Sequence, residues 1–393
     1  MTGYRSRMRV LLAALPAFGH LYPLMPLAAA LRESGDDVVL ATGDPLASAM
    51  RASGWWVEDV PCDVAGARRE LLRRRPQLAE LSPAQRWRLG AALFAEALPA
   101  ITAHRLLDVA TRVRPDLLVY DEADLGAAVA GAVTGIPVAR HGLGPLPRQV
   151  QEHLADSLLQ HWPVPEALRP EGTAVLGDCY LDIYPPGLHR CPPLSPLPVV
   201  PLRPVPWSDG EIPVPAWLTA SRSRPLVYLT FGTVPFLALP VLRAAARGLA
   251  ALDVDVLVAI GPHSDPSALG RLPAHVRVER FVPQAALLEY VDLVVHHGGS
   301  GTTLASLARG RPQLVIPQGL PDQAVNAANV AAAGAGLMLS SDEVTADTVA
   351  DRAASLLGTP GYAARAGRMQ REIHGMPDPS DVVPILRGLT AGP

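Results

Sequence analysis

The chain has 393 residues, 49% of them hydrophobic and 18% charged, with a formal net charge of −3. Its length exceeds what one hydrophobic core usually supports, and the balance is that of a folded protein without global attraction to nucleic acid or anionic membranes. All 34 basic residues are arginine, which excludes a Schiff-base lysine and the lysine of a Walker A loop.

Arg9 to Leu15 is an apolar run that reads as a buried parallel strand. Pro16 to His20 form a glycine-containing loop, Leu24 to Ser34 a helix stopped by Gly35, and Asp37 to Thr42 the next strand. Asp116 to Tyr120 is a strand, Ala123 to Thr134 a small-residue helix, and Ile136 to Ala139 a short apolar strand. Pro192 to Pro215 is dense in proline, so it reads as a semi-rigid linker rather than a packed element. The same alternation then restarts. Strands are expected at Leu226 to Thr230, Asp255 to Ile260, Val276 to Val278, Leu293 to Val295 and Gln313 to Ile316. Helices are expected at Leu237 to Leu252, Leu287 to Tyr290 and Thr302 to Arg309. Alternation of this kind implies α/β architecture, with two Rossmann-like, doubly wound parallel sheets facing across a cleft. The expected division is 1–200, 201–376 and a C-terminal segment, 377–393, that returns to the first domain.

The three cysteines, Cys62, Cys179 and Cys191, lack metal-ligand spacing and suit a reducing cytoplasm better than a Cys179–Cys191 disulfide. Pro16 to His20 interrupt the first apolar run before it reaches signal-peptide length, and Leu125 to Ala139 is too short to span a bilayer. A soluble protein without stable membrane insertion is therefore expected.

The strongest local pattern is His296-His297-Gly298-Gly299-Ser300-Gly301-Thr302-Thr303 at the end of a strand. Glycines let backbone approach an anion closely, and N–H groups at a helix start point at negative charge. An ordinary strand-to-helix turn with a threonine N-cap is the simpler alternative. His20 occupies the carboxyl end of the first strand, where doubly wound folds place ligands, and a solvated or capping histidine is its alternative. A histidine serving as a general base works better with a carboxylate fixing its tautomer. Asp121 is the candidate orienting acid; Glu122 and Asp124 compete with it, and their simpler reading is as first-turn carboxylates that favour a helix N-terminus.

Phe281-Val282-Pro283-Gln284, His297 to Thr303, Ile316-Pro317-Gln318-Gly319, Asp322-Gln323 and Asn326-Ala327 together resemble the donor signature of GT-B glycosyltransferases. More narrowly, they resemble bacterial enzymes that glycosylate natural products such as polyketides and antibiotics. Gly19-His20 and Gly232-Thr233 fit as well, so the likeness covers nearly the whole chain. It implies that Phe281 lies against a nucleobase, with Val282 and Gln284 nearby. His297, Gly299, Ser300, Gly301, Thr302 and Thr303 would hold a diphosphate, with Gly232 and Thr233 closing on it. Asp322 and Gln323 would contact sugar hydroxyls, and His20 would be the general base. Relatives using uridine donors often carry a glutamate two residues after the threonine pair to bind both ribose hydroxyls. Ala305 stands there and suits a 2′-deoxyribose, so a dTDP-sugar donor is expected.

The implied reaction is inverting, metal-independent sugar transfer to a hydroxyl of a small apolar acceptor, with no cofactor beyond the nucleotide sugar. Asp253-Val254-Asp255 matches a D-x-D metal pattern but precedes an apolar strand far from the glycine loop, and His296-His297 lacks a third zinc ligand. Glu58 to Leu98 and His141 to Trp162 are the segments expected to face the acceptor. A homodimer is compatible with this reading. Two competitors remain: a nucleotide-sugar epimerase, and a catalytically silent homologue that assists a partner protein.

Overall fold

A computed structural model describes residues 7–82, 85, 87–145, 148–189, 197–208, 215–219, 222–232, 239–261 and 265–390. Thr233 and Cys191 lie outside the described residues. The chain divides into two compact units. The first comprises Met1–Tyr184, Cys191–Arg203 and Met376–Pro393; the second comprises Pro185–Arg190 and Pro204–Gly375.

The first unit holds seven strands: β1 Arg9–Ala13, β2 Asp37–Thr42, β3 Trp56–Asp59, β4 Leu117–Asp121, β5 Val138–His141, β6 Cys179–Asp182 and β7 Val199–Pro201. Their order is β3-β2-β1-β4-β5-β6-β7, and every pairing is parallel. Val10 to Ala13 and all of β4 are buried, because helices cover both faces of a parallel sheet and leave no solvent side for polar residues. The strand order reverses between β1 and β4, and their carboxyl ends therefore border the crevice where such sheets bind ligands.

The expected linker needs correction. Val199–Pro201 forms the edge strand β7, and Leu202 is buried beyond it. Proline is tolerated there because an edge strand needs donors on one side only. The ladder uses Pro198 as an acceptor: its carbonyl takes the Tyr180 N–H at 2.9 Å. Neither β6 nor β7 was expected from the sequence.

The second unit holds β8 Leu226–Thr230, β9 Asp255–Ala259, β10 Val276–Glu279, β11 Leu293–His296, β12 Gln313–Val315 and β13 Gly336–Met338. They form one parallel sheet in the order β10-β9-β8-β11-β12-β13. Val227, Leu229, Val256, Val258, Leu293 and Val295 build its core. Both sheets match the expected doubly wound α/β class. Among the described residues, no helix is long and apolar enough to cross a membrane.

Candidate active site

In the first unit, the parallel register of β1 and β4 sets Ala13 beside Tyr120, so the residues that follow each strand meet. Ala17 is extended and starts the short helix Phe18–Leu21, which carries His20 back over the sheet end. The His20 Nδ1 lies 3.0 Å from Asp121 Oδ1 across 101 positions of sequence. Asp121 is wholly buried, and backbone fixes its carboxylate: Leu15 N–H donates to Oδ2 and Ala123 N–H to Oδ1, each at 2.9 Å. An ionised carboxylate only accepts, so Nδ1 carries the hydrogen and Nε2 keeps the lone pair. This arrangement can take a proton from a hydroxyl.

The other two acids go elsewhere. Glu122 Oε1 accepts the N–H groups of Leu143 (2.8 Å) and Gly144 (3.3 Å), while Oε2 faces buried Arg140 (3.4 Å) and the Tyr180 hydroxyl (3.3 Å). It ties the chain leaving β5 to the sheet. Asp124 is buried against Thr102 at 3.4 Å, and burial, with the Asp121 charge beside it, pushes its carboxyl up to about 7. His141, opposite Asp121 in register, is pulled down to about 4 by burial. Sequence reasoning missed Arg140, His141 and Tyr180, because strand side chains say nothing about their neighbours until the pairing is known.

One π-helical turn, Leu93–Ala97, interrupts the helical run that ends at Val113. Such turns redirect side chains and concentrate at functional sites. Phe94 on this turn stands over His20 with ring centroids 6.2 Å apart. It makes an apolar wall beside the imidazole.

In the second unit, β11 ends at His296, residues 297–299 form the glycine loop, and the helix Ser300–Ala308 follows. Its N-cap is Gly299, with no capping side chain, rather than a threonine. The first-turn N–H groups at Ser300 and Gly301 thus face a position where no side chain of the cap competes with an anion. The half-buried His297 ring is enclosed by glycines: a Cβ at Gly232 would lie 3.0 Å from its Cε1, and one at Gly299 2.7 Å from its Nε2. Gly232 also has φ +81°. Burial holds His297 near 4, so the ring is a neutral donor at physiological pH.

The remaining residues divide by exposure. Phe281 is 49% exposed, whereas Val282 is buried in a cluster with Leu287, Val294 and Ala305. Gln284 Nε2 is buried and has no partner among the described residues, and its Oε1 faces the Thr302 hydroxyl at 3.5 Å. Thr303 is wholly buried and donates its hydroxyl to the Gly299 carbonyl at 3.0 Å, which holds the helix start together. Gln323 is buried too; its Oε1 accepts the Gln318 N–H at 2.8 Å. Asp322 sits half-buried in the first turn of the helix Pro321–Ala332. Asp255 pairs with Arg224 at 2.6 Å and Asp253 lies 3.8 Å from the same guanidinium.

Comparison with known proteins agrees across the chain. The N-terminal domain of the erythromycin biosynthesis protein CIII-like family matches residues 29–232, and its C-terminal domain matches 244–389. The elloramycin glycosyltransferase ElmGT of Streptomyces olivaceus is 36% identical, over 96% of this chain and 97% of its own. Among solved structures, the glycosyltransferase VinC in complex with dTDP superposes with a TM-score of 0.79 at 27% identity, covering 98% of this chain and 99% of its own. The spinosyn rhamnosyltransferase SpnG, complexed with thymidine diphosphate, reaches 0.79 at 28%, covering 96% and 100%.

Proposed function

The chain belongs to the erythromycin CIII-like family of natural-product glycosyltransferases, and from that membership we propose that it moves a deoxysugar from a dTDP donor to a hydroxyl of an apolar acceptor, with inversion and without a metal. The observation that carries this reading is the His20–Asp121 pair, a base oriented by a buried acid at the carboxyl end of β1. His20 Nε2 takes the acceptor hydroxyl proton as the acceptor oxygen attacks the anomeric carbon. The bond from that carbon to the diphosphate breaks, and its electron pair leaves on the diphosphate oxygen. Asp121 stabilises the imidazolium that forms.

The leaving charge is met by His297 and the uncapped N–H groups at Ser300 and Gly301, with Thr302 at the loop's edge; fixed dipoles of this kind need no reorganisation as charge develops. Phe281 offers an exposed ring for the base, Gln284 Nε2 a donor with no partner among the described residues, and Ala305 no acceptor for a ribose 2′-hydroxyl. Gly232 admits the His297 ring, and Asp322 is assigned to the sugar hydroxyls. Thr303 and Gln323 act by holding the loop and turn that carry these groups. Thr233 is kept in the donor set on sequence grounds. Phe94 forms part of the acceptor wall.

The test follows nucleotide diphosphate release from dTDP- and UDP-sugars over an acceptor library, with and without chelator. Acceptor-dependent release that prefers dTDP donors, survives chelation and falls by about 100-fold or more in His20→Ala is expected. Binding of nucleotide without any acceptor-dependent release would instead favour the silent homologue or the epimerase.

A further inference from the structure

Deep under the glycine loop, a buried polar chain has its donor and acceptor roles determined end to end. Gln313 opens β12 with no exposed surface, and its Nε2 lies 3.2 Å from the Thr303 carbonyl. A carbonyl only accepts, so the amide nitrogen must face it and Oε1 must face the other way. There Oε1 lies 2.6 Å from Nε2 of His296, also wholly buried. His296 therefore carries its hydrogen on Nε2, and Nδ1 is left to accept. What it accepts is the Gly298 N–H, at 3.1 Å. From the opposite side, Asn326 Nδ2 donates to the Gly298 carbonyl at 2.8 Å and to Ser300 Oγ at 3.0 Å. Gly298 adopts φ +90°, and a Cβ there would meet the Gln323 carbonyl at 2.7 Å.

We propose that His296 is a positioning residue for the donor diphosphate: its Nε2–H tautomer, imposed by Gln313, draws the Gly298 N–H inward and thereby sets the turn that presents the N–H groups of Gly299, Ser300 and Gly301 to the anion. The proposal rests on reading this loop as the diphosphate site. Without the Nδ1 acceptor, the Gly298 amide would be a buried donor lacking a partner, and the peptide would turn to find one. A proton on Nδ1 would do the same, and burial keeps His296 neutral by pulling it down to about 3.

Two variants separate the two ends of the imidazole. His296→Asn retains a short-reach acceptor at the position of Nδ1, and His296→Gln retains a donor at the reach of Nε2 but no acceptor for Gly298. Calorimetric titration with dTDP and with thymidine measures what the diphosphate adds. His296→Gln is expected to lose about tenfold or more in dTDP affinity while holding thymidine as the parent does, and His296→Asn to recover most of that loss. Unchanged dTDP affinity in His296→Gln, equal losses for nucleoside and nucleotide, or no recovery in His296→Asn overturns the assignment. If His296→Gln does not fold, Gln313→Met takes its place, since it frees the tautomer and leaves the imidazole; selective loss of dTDP supports the proposal and equal loss overturns it. A parent protein that binds dTDP no better than thymidine refutes the diphosphate reading itself, a result distinct from failure of the variants.

Discussion

The contrast among Asp121, Glu122 and Asp124 turns on where each carboxylate finds its donors. Asp121 closes one apolar strand and the other two follow it, and by sequence each could orient a histidine. Only Asp121 reaches His20, because two backbone N–H groups grip the same carboxylate and hold it in line with Nδ1. Replacing it tests whether orientation matters beyond charge. Asp121→Asn keeps the volume but presents an amide that can donate to Nδ1 and invert the tautomer. Turnover is expected to fall by about 10³-fold or more with nucleotide affinity unchanged, measured by steady-state kinetics beside dTDP titration. A loss confined to KM would argue against the dyad.

At the level of elements, the helix Leu125–Thr134 shows how packing overrides a local rule. Asp124 is its N-cap, yet its side chain makes no capping hydrogen bond and turns inward to Thr102 on the helix Leu98–Val113. The helices come close there: a Cβ at Gly126 would overlap the Thr102 hydroxyl, 2.0 Å away. Burial favours the protonated acid, raising Asp124 from its ordinary value of 3.8 to about 7. The native state thus binds a proton that the unfolded chain releases above pH 4. Stability from this group is complete below about pH 4 and declines as pH rises through 7. Asp124→Asn, neutral at all pH, is expected to be close to the parent in stability near pH 4 and more stable by on the order of 2 kcal/mol near pH 8, read from denaturant unfolding at both values. A difference that does not grow with pH would contradict the protonated assignment.

The whole chain adds a constraint that neither half contains alone. Met376–Pro393 belongs to the first unit although it follows the second in sequence. The helix Pro379–Leu389 buries Val382, Val383 and Leu386, and Arg387 reaches both oxygens of Asp36 at 3.0 Å. Asp36 also accepts the Met8 N–H and the Ser34 hydroxyl, so its buried carboxylate fastens the start of β1 to the last helix. Arg387→Ala is expected to destabilise the protein by about 1–3 kcal/mol in thermal or denaturant unfolding, because the acid loses its cation while remaining buried. A change within experimental error would mean that apolar packing alone anchors the segment.

Much of this could be read in one dimension. Strand and helix alternation follows from apolar period and glycine stops, so β2 and β8 are found with their observed ends, and the anion loop announces itself because its glycines, hydroxyls and histidines are contiguous. Strand β6 and the edge strand β7 escaped because proline and short mixed runs carry no periodic signal, and their pairing supplies what their composition does not. The choice among three neighbouring acids, the tautomer of His296 and the inward turn of Thr303 were decided only by folding. Each depends on donors and acceptors brought from distant strands, and a hydrogen bond's direction is a property of both partners, which the sequence presents separately and the tertiary structure joins.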